Sequence, residues 1–478
     1  MKTNNIIFYS LLILVVSGTW SCSSPGTVIR SENKNVPASY SNSQYNDTVN
    51  SARINWRNYF HDPHLIALID TALQNNQELN IMLQEIEISK NEIRARKGEY
   101  LPFVNLGAGA GAEKPGEFTR NGAVEKQLEV KPGQKFPDPL QDYYFGAVAS
   151  WEIDVWKKLR NARQSAAMRY LASVEGRNFM VTRLIAEIAE SYYELLALDN
   201  MLEMIDKNID IQSNALKVVK QQKESAKVSQ LAVNRFEAQL LNTQNMQYEV
   251  RQKIVETENR INFLTGRFPT PIQRNSAAYL YAKMDTVLAG IPAHLLNNRT
   301  DVRQAEYELA ASRLDVKSVK ARFYPNVAIS AGVGFQAFNP AFLLHPESML
   351  YNLAGDIAAP LINRNAIKAA YRTANAKQMQ AVLRYEQTLL NAYLDVLNQQ
   401  AKLENYRKSF DTKHHQVEIL TESITISNNL FNSARADYAE VLLTQREALE
   451  SKMELIEIKQ KQYNAQVNIY RALGGGWK

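Results

Sequence analysis

The chain has 478 residues, 22% of them charged, a formal net charge of +6 and one cysteine. That length holds two or three ordinary domains or one very elongated one. A mild charge without any lysine- or arginine-rich block argues against nucleic acid as a partner, and a single cysteine rules out a disulfide within the chain.

The N-terminus reads as a targeting segment. Lys2 supplies a positive charge, and "IIFYSLLILVVSG" has the length of a signal-peptide core rather than of a membrane-spanning helix. Cys22 follows at once in "TWSCSS". This looks like a lipoprotein signal with Cys22 as the lipid attachment residue. Thr19 and Trp20 depart from the Leu and small residue usual there, whereas Ser21 fits. The expected divisions are a signal peptide over 1–21 and a lipidated tail over 22–60, extended through its Asn- and Ser-rich part, Ser31–Thr48. No later run is long and apolar enough to span a bilayer as a helix.

The rest of the chain is written twice. "RARKGEYLPFVNLGAGAG" (Arg94–Gly111) is echoed by "KSVKARFYPNVAISAGVG" (Lys317–Gly334). "SWEIDVWKKLR" (Ser150–Arg160) lies opposite "APLINRNAIK", "SAKVSQLAV" (Ser225–Val233) opposite "SARADYAEV" (Ser433–Val441), and "FLTGR" opposite "ALGGG". The expected domains are helices over 61–100, a strand hairpin over 101–155 and a long helical hairpin over 156–268. The second set is a linker and helices over 269–323, a strand hairpin over 324–361, a long helical hairpin over 362–473 and a short tail over 474–478. The insertion Glu113–Asp142, with four prolines, reads as an exposed loop between the first two strands.

Four segments alternate with period two: Val104–Ala112, Tyr143–Asp154, Val327–Phe335 and Leu350–Leu361. Each has an apolar face, such as Tyr143, Phe145, Ala147, Ala149, Trp151 and Ile153. Each also has a small or polar face, with Asn352, Asp356 and Pro360 on that side of the last. Strands of about 9–11 residues can cross a bilayer when tilted. The pattern suits a transmembrane barrel, with a soluble antiparallel sheet as the alternative. Four strands cannot close, and open edges are not tolerated in lipid, so strands in a membrane require several chains in one barrel.

The helical regions carry strict heptads. One runs Ile188, Leu195, Leu202, Ile209, Leu216; a second runs from Val382 through Leu389 and Val396 to Phe431; a third runs Leu442, Leu449, Ile456, Tyr463, Tyr470. A sustained period of 3.5 argues coiled-coil packing. Gln445, Lys452, Lys459 and Gln466 form a polar series beside the last seam, which predicts a wall of helices with water on one or both faces. An ordinary antiparallel bundle explains the heptads as well, but not the strands. The tract Leu361–Leu473 contains neither glycine nor proline, so its turn at "LFNSARADYAEVLL" is identified only by its counterpart in the first half.

Taken together these residues resemble the TolC/OprM family of outer-membrane factors, in its lipoprotein branch, over nearly all of Trp56–Trp477. "WRNYFHDPHLIALIDTALQNNQEL" is similar to the family's opening helix, with Asp62 as N-cap and Pro63 at the first helical position. "LLNNRTDVRQAEYELAASRLDVKSVKARFYPNV" is similar to its Leu-Leu-x-x-Arg-Pro-Asp segment, Thr300 replacing the proline, and "YRALGGGWK" to its C-terminal ending. The resemblance implies an α+β membrane protein, in which a long antiparallel α-helical coiled-coil barrel continues a transmembrane β-barrel. Each chain gives four strands, and a homotrimer closes a 12-stranded barrel. It implies an exit duct in the outer membrane of a Gram-negative bacterium, lipid-anchored, with a helical tube in the periplasm. The duct would work with a periplasmic adaptor and an inner-membrane pump of the RND type.

The resemblance also implies the site residues. Ser225, Ala226, Lys227 and Val228 form one hairpin tip for adaptor docking, and Ser433, Ala434, Arg435, Ala436 and Asp437 the other. Glu440 and Leu443 match the periplasmic gate, where a charged ring at a narrow mouth would set selectivity. Ala232 stands at the position equivalent to Glu440 in the first repeat. Ala226 and Ala434 replace the family's turn glycine, which makes the turn geometry unusual.

No catalytic motif emerges, so no enzyme activity and no cofactor are expected. His414 and His415 are adjacent and point about 100° apart on a helix. His61 and His64 flank Pro63, and Met201 and Met204 read as packing, so no metal site is expected. A small-molecule efflux duct is the leading reading. A duct for type I protein secretion and a periplasmic coiled-coil adaptor are the alternatives; an adaptor would lack two strand pairs of membrane length.

Overall fold

The computed structural model describes residues 30–40, 50–281, 287–360, 362, 364–433 and 435–477. Cys22, the signal peptide and Ala434 lie outside the described residues. The described residues divide into two units, one drawn from 30–31, 87–171 and 307–383, the other from 32–86, 172–306 and 384–477.

The first unit carries a four-stranded antiparallel sheet. Its strands are β1 (Phe103–Glu113), β2 (Leu140–Ile153), β3 (Asn326–Ala337) and β4 (Met349–Ala358), in the spatial order β1-β2-β3-β4. Continuous register makes rows across all four strands. Leu106, Ala147, Val333 and Tyr351 form one row and Val104, Ala149, Ala331 and Leu353 the next on that face. The opposite face holds Asn105, Val148, Gly332 and Asn352, then Phe103, Ser150, Ser330 and Ala354, with Glu152 and Asp356 flanking Ala328. Among the described residues nothing covers the apolar face: Leu106 and Leu353 are 77% exposed and Tyr351 80%. The period-two pattern has therefore produced a sheet whose apolar side meets something other than this chain.

Two details differ from the expected strands. The last one stops at Ala358, so Pro360 lies beyond it; proline cannot donate to a ladder and ends the pairing. The insertion between β1 and β2 also has structure of its own, a helix Arg120–Gln127 and a two-stranded ribbon Glu129–Lys131 with Gln134–Lys135.

Helix α1 (Pro63–Asn75) starts as the sequence requires: Asp62 accepts from the His64 amide, and Pro63 occupies the first turn. Helix α2 (Gln77–Tyr100) leads toward β1, and α3 (Lys158–Glu224) leaves β2. The α3 start is capped by Asp154, which accepts from the amides of Leu159 (3.0 Å) and Arg160 (2.9 Å). Helices α4 (Gln230–Leu264), α5 (Thr300–Ala321), α6 (Asn365–Asn432) and α7 (Tyr438–Ala472) are the other long ones. At 1.5 Å per residue α3 and α6 are each about 100 Å long. Among the described residues no helix is long and apolar enough to cross a membrane. In the first unit, α3 and α5 join where the Ser165 hydroxyl donates to Asp315 (2.6 Å) and the Arg169 guanidinium pairs with the same carboxylate.

In the second unit the heptad residues face inward: Ile188, Leu195, Val396 and Ile456 are fully buried. The cluster around Ile188, Leu195 and Ile456 takes in Leu65 and Ile69 of α1, Ile261 of α4 and Tyr470 of α7. Here the polar series of α7 corrects the expectation of water on that register. Gln445 and Lys459 are buried, and the Lys459 ammonium sits over the rings of Phe410 (5.1 Å) and Tyr463 (5.3 Å). Its long apolar stem packs inside, and the rings receive the charge. The tail is also partly packed rather than extended throughout. Tyr40 is buried and stacks on Tyr393 at 5.5 Å, the Lys34 ammonium contacts Glu306 at 2.6 Å, and Trp56 and Phe60 enter the core. These aromatics bury more apolar area than an extended strand in water would.

The helix ends repeat one solution. Gly266 (φ 68°) follows α4 and Gly474 (φ 86°) follows α7, each in the left-handed region. The Arg267 amide donates to Asn262 O and the Gly475 amide to Tyr470 O, both at 3.0 Å. This is the Schellman cap, and it explains why "FLTGR" and "ALGGG" occupy equivalent places in the two halves.

Candidate functional site: the hairpin tips

The first tip closes α3 onto α4 without a glycine. Ala226 adopts φ 55°, its amide donates to Lys223 O and the Lys227 amide donates to Gln222 O, each at 2.9 Å. Alanine thus occupies the left-handed position of a Schellman cap, a conformation that costs roughly 1 kcal/mol beyond glycine. Ser225 is anchored back on Gln221 O through its hydroxyl (3.1 Å), and Lys227 is exposed. Ser229 caps α4 by accepting from the Ala232 amide.

At the second tip, between α6 and α7, the Ser433 hydroxyl donates to Asn429 O (2.8 Å) and the Arg435 amide donates to Leu430 O (2.8 Å). That last bond has the same reach, five residues back, as Lys227 to Gln222. Arg435 and Asp437 are exposed and Ala436 is half-buried. Asp437 is the N-cap residue of α7, although its side chain makes no capping bond.

The two tips meet through apolar side chains. Leu216, Val219, Ala232, Val233 and Phe236 of the first hairpin form a buried cluster, and Val228, Tyr438 and Leu442 pack against it. The core side of α7 at this level is Val441, Gln445 and Ala448, all buried. Glu440 and Leu443 point away from it, and Leu443 is 46% exposed.

Glu440 begins a longer feature. Glu447, Glu450, Glu454 and Glu457 are exposed on the same helical stripe, since steps of seven, three, four and three return to one face. Two cations answer them among the described residues: Lys413 of α6 donates to Glu454 at 2.5 Å and Arg446 lies 3.8 Å from Glu450. The four later glutamates were not singled out in the sequence reading, yet extending the helical spacing from Glu440 finds them. The first repeat offers no matching acid, because Ala232 is fully buried in the apolar cluster. A carboxylate there would be desolvated without a partner.

The segment "LLNNRTD" has a structural use. Arg299, 7% exposed, donates to both Asp301 oxygens (2.9 and 2.6 Å), to Asp395 (3.2 Å) and to Ala472 O (3.1 Å). It ties α5, α6 and the end of α7 together. Arg274 plays a similar part for the linker, donating to Asp199 (2.6 and 2.9 Å) and Glu258 (2.5 Å). His414 and His415 both lie near Glu418, at 3.6 and 3.3 Å, and are exposed. Among the described residues no group of three or more His, Cys, Asp or Glu side chains could hold a metal ion.

A sheet with one uncovered apolar face, feeding two helical hairpins of this length, is the protomer architecture of an outer-membrane channel. The family model described as outer membrane efflux protein matches residues 68–267 and 291–475, and the chain belongs to that family, the TolC/OprM outer-membrane factors. Its sequence is 25% identical over 425 residues to the solvent efflux pump outer membrane protein SrpC of Pseudomonas putida, covering 88% of this chain and 87% of that one. It is 24% identical over 446 residues to the probable outer membrane lipoprotein SilC of Salmonella typhimurium, covering 92% and 93%. In fold it is similar to the open state of the Neisseria gonorrhoeae MtrE outer membrane channel, with a TM-score of 0.81, 20% identity, and 95% and 99% of the two chains covered. The chain is thus the outer-membrane exit channel of an efflux system, and its family is one of transport channels.

Proposed function

We propose that three copies of this chain form a passive, gated duct for small molecules, anchored by lipid on Cys22 and docked through its hairpin tips to an adaptor and an RND-type pump. The observation that carries this is the pair of open sheet edges. Strands β1 and β4 each have one neighbour, and they run antiparallel to each other across the four-stranded order. Rotated copies can therefore join β4 of one chain to β1 of the next and keep the whole sheet antiparallel. Lipid cannot satisfy an open edge, so the sheet must close. Three copies give twelve strands, well above the roughly eight at which barrels begin.

The helices support the same closure. Leu241, Tyr248 and Val255 form an exposed heptad row on α4, and Ile211 with Val218 and Ile419 with Ile426 form shorter rows on α3 and α6. Exposed apolar rows of period seven fit seams that a second chain fills.

At the tips, the exposed Lys227, Arg435 and Asp437 are suited to polar contacts with a partner. Glu440 and Leu443 line the mouth, with one acid from each chain because the first repeat has none. Transport is gated diffusion, with the energy supplied by the pump. The test is deletion of the chromosomal copy followed by complementation with the parent or a Cys22→Ser variant, scored by accumulation of a fluorescent efflux substrate. Restored efflux with the parent supports the duct. Full restoration by a Cys22→Ser chain that carries no lipid on mass analysis removes the anchor from the account.

A further inference from the structure

We propose that a basic pocket in the sheet-bearing unit, where β2 and β3 give way to α3 and α5, holds the phosphate of an anionic phospholipid headgroup. The proposal rests on reading the sheet as membrane-spanning.

The pocket is a cavity of about 570 Å³. Lys157 and Arg160 enter it from the start of α3, and Lys317 and Lys320 from the end of α5. Trp156 and Tyr324 form its rim, and no carboxylate lines it. Among the described residues Lys157, Lys317 and Lys320 form no ion pair. Arg160 is held in place by Asp154, donating to its backbone oxygen (2.6 Å) and its carboxylate (3.3 Å). Four cations thus converge on one space, and the nearby acids are already engaged: Asp154 by two backbone amides, Glu152 by Lys158, and Asp315 by Ser165 and Arg169. An oxygen-rich anion answers that arrangement, because lysine and arginine both suit phosphate oxygens.

Two further observations narrow the anion to a lipid. The first is the rim. Trp156 follows the end of β2 by three residues and Tyr324 precedes the start of β3 by two. The rings stack at 4.8 Å, and the Trp156 indole donates to Pro325 O at 2.7 Å. A fixed, amphipathic aromatic pair at the end of the apolar rows marks the headgroup level of a barrel. The second is the backbone of Lys157, which adopts φ 59°. A non-glycine residue in that region is strained, and such strain collects where ligands are clamped. A free phosphate would use the lysines but not the aromatic rim or the full volume; a headgroup with its glycerol uses all three.

The experiment takes the assembled protein from the outer membrane in detergent, adds phosphatidylglycerol and phosphatidylcholine in equal amounts, and counts bound lipid by native mass spectrometry. The parent should retain phosphatidylglycerol in preference by roughly tenfold or more. A triple variant, Lys157→Gln with Lys317→Gln and Lys320→Gln, should lose that preference, whereas the three Lys→Arg changes should keep it. Millimolar inorganic phosphate should leave the lipid bound. Equal preference in the parent and the Gln variant overturns the proposal, as does displacement by millimolar phosphate, which assigns the pocket to the free anion. Membrane fractionation keeps the two readings apart. Parent protein recovered in the outer membrane without lipid preference overturns the pocket and leaves the channel standing, whereas failure to fractionate there overturns both.

Discussion

Gly146 and Gly334 face each other across β2 and β3 so closely that a Cβ on either would lie within 3 Å of the other's Cα. Gly107 continues the row on β1. The side of the sheet they occupy also carries Asn105, Ser150 and Ser330, the side that a closed barrel turns toward its lumen. Small residues let a strongly curved sheet close there.

Gly146→Val should therefore impair closure, whereas Gly355→Ala, with nothing within 4 Å of its added methyl, should not. Heat-modifiable oligomer bands from outer-membrane fractions measure this. Loss of the band in Gly146→Val and its persistence in Gly355→Ala is the expected pattern; equal bands in both would remove the packing argument.

Ala226→Gly should relax the first hairpin tip. Removing the left-handed strain should favour the cap by up to about 1 kcal/mol, reduced by the greater entropy of glycine in the unfolded chain. Exchange of the Lys227 amide, which bonds to Gln222 O, should slow several-fold. Ala226→Val should speed it, because a β-branched side chain resists positive φ.

Glu440→Gln should weaken cation preference in planar-bilayer conductance, and Leu443→Glu, on the same exposed stripe, should strengthen it. Both changes leave the buried side of α7 untouched. Ion selectivity unchanged in both variants would take the gate away from this turn.

Arg299→Ala should destabilise the second unit by roughly 3–5 kcal/mol, because Asp301 is left without its buried partner. Asp395→Asn should cost far less, since that carboxylate is 43% exposed. Thermal unfolding of the two variants gives the comparison, and similar melting temperatures would contradict the assignment of Arg299 as the tie.

Lys459 predicts a pH effect of definite sign. Burial lowers its folded-state pKa from 10.5. Between the lowered value and 10.5 the unfolded chain binds more protons, so this residue makes stability rise with pH in that window. Below it the full cost of the buried charge is present. Lys459→Met should raise the melting temperature at neutral pH and flatten the alkaline rise.

The period-two and period-seven patterns announced the sheet and the helical hairpins, because side chains repeat on one face at those spacings whatever the tertiary setting. The turn at Ala226 was legible only through the repeat, since alanine does not advertise a positive φ. The burial of Gln445 and Lys459 was not legible: their polarity points to water, and only the packing of Phe410 and Tyr463 around the lysine stem reverses it. On α7, Glu440 came from resemblance, while the later glutamates of its stripe needed the helix face to be fixed first. Arg299 sat in a recognised segment, but its partner Asp395 is distant in sequence and no local pattern links them.

The central claim is that three chains close one sheet, edge to edge. A panel of paired cysteines, one on β1 and one on β4, tests it by oxidation in intact outer membranes, with the parent chain and its lone Cys22 as the control. The account predicts covalent dimers and trimers for pairs in register, with the ladder ending at three. A panel that yields only monomers, or a ladder that continues past three, would contradict it.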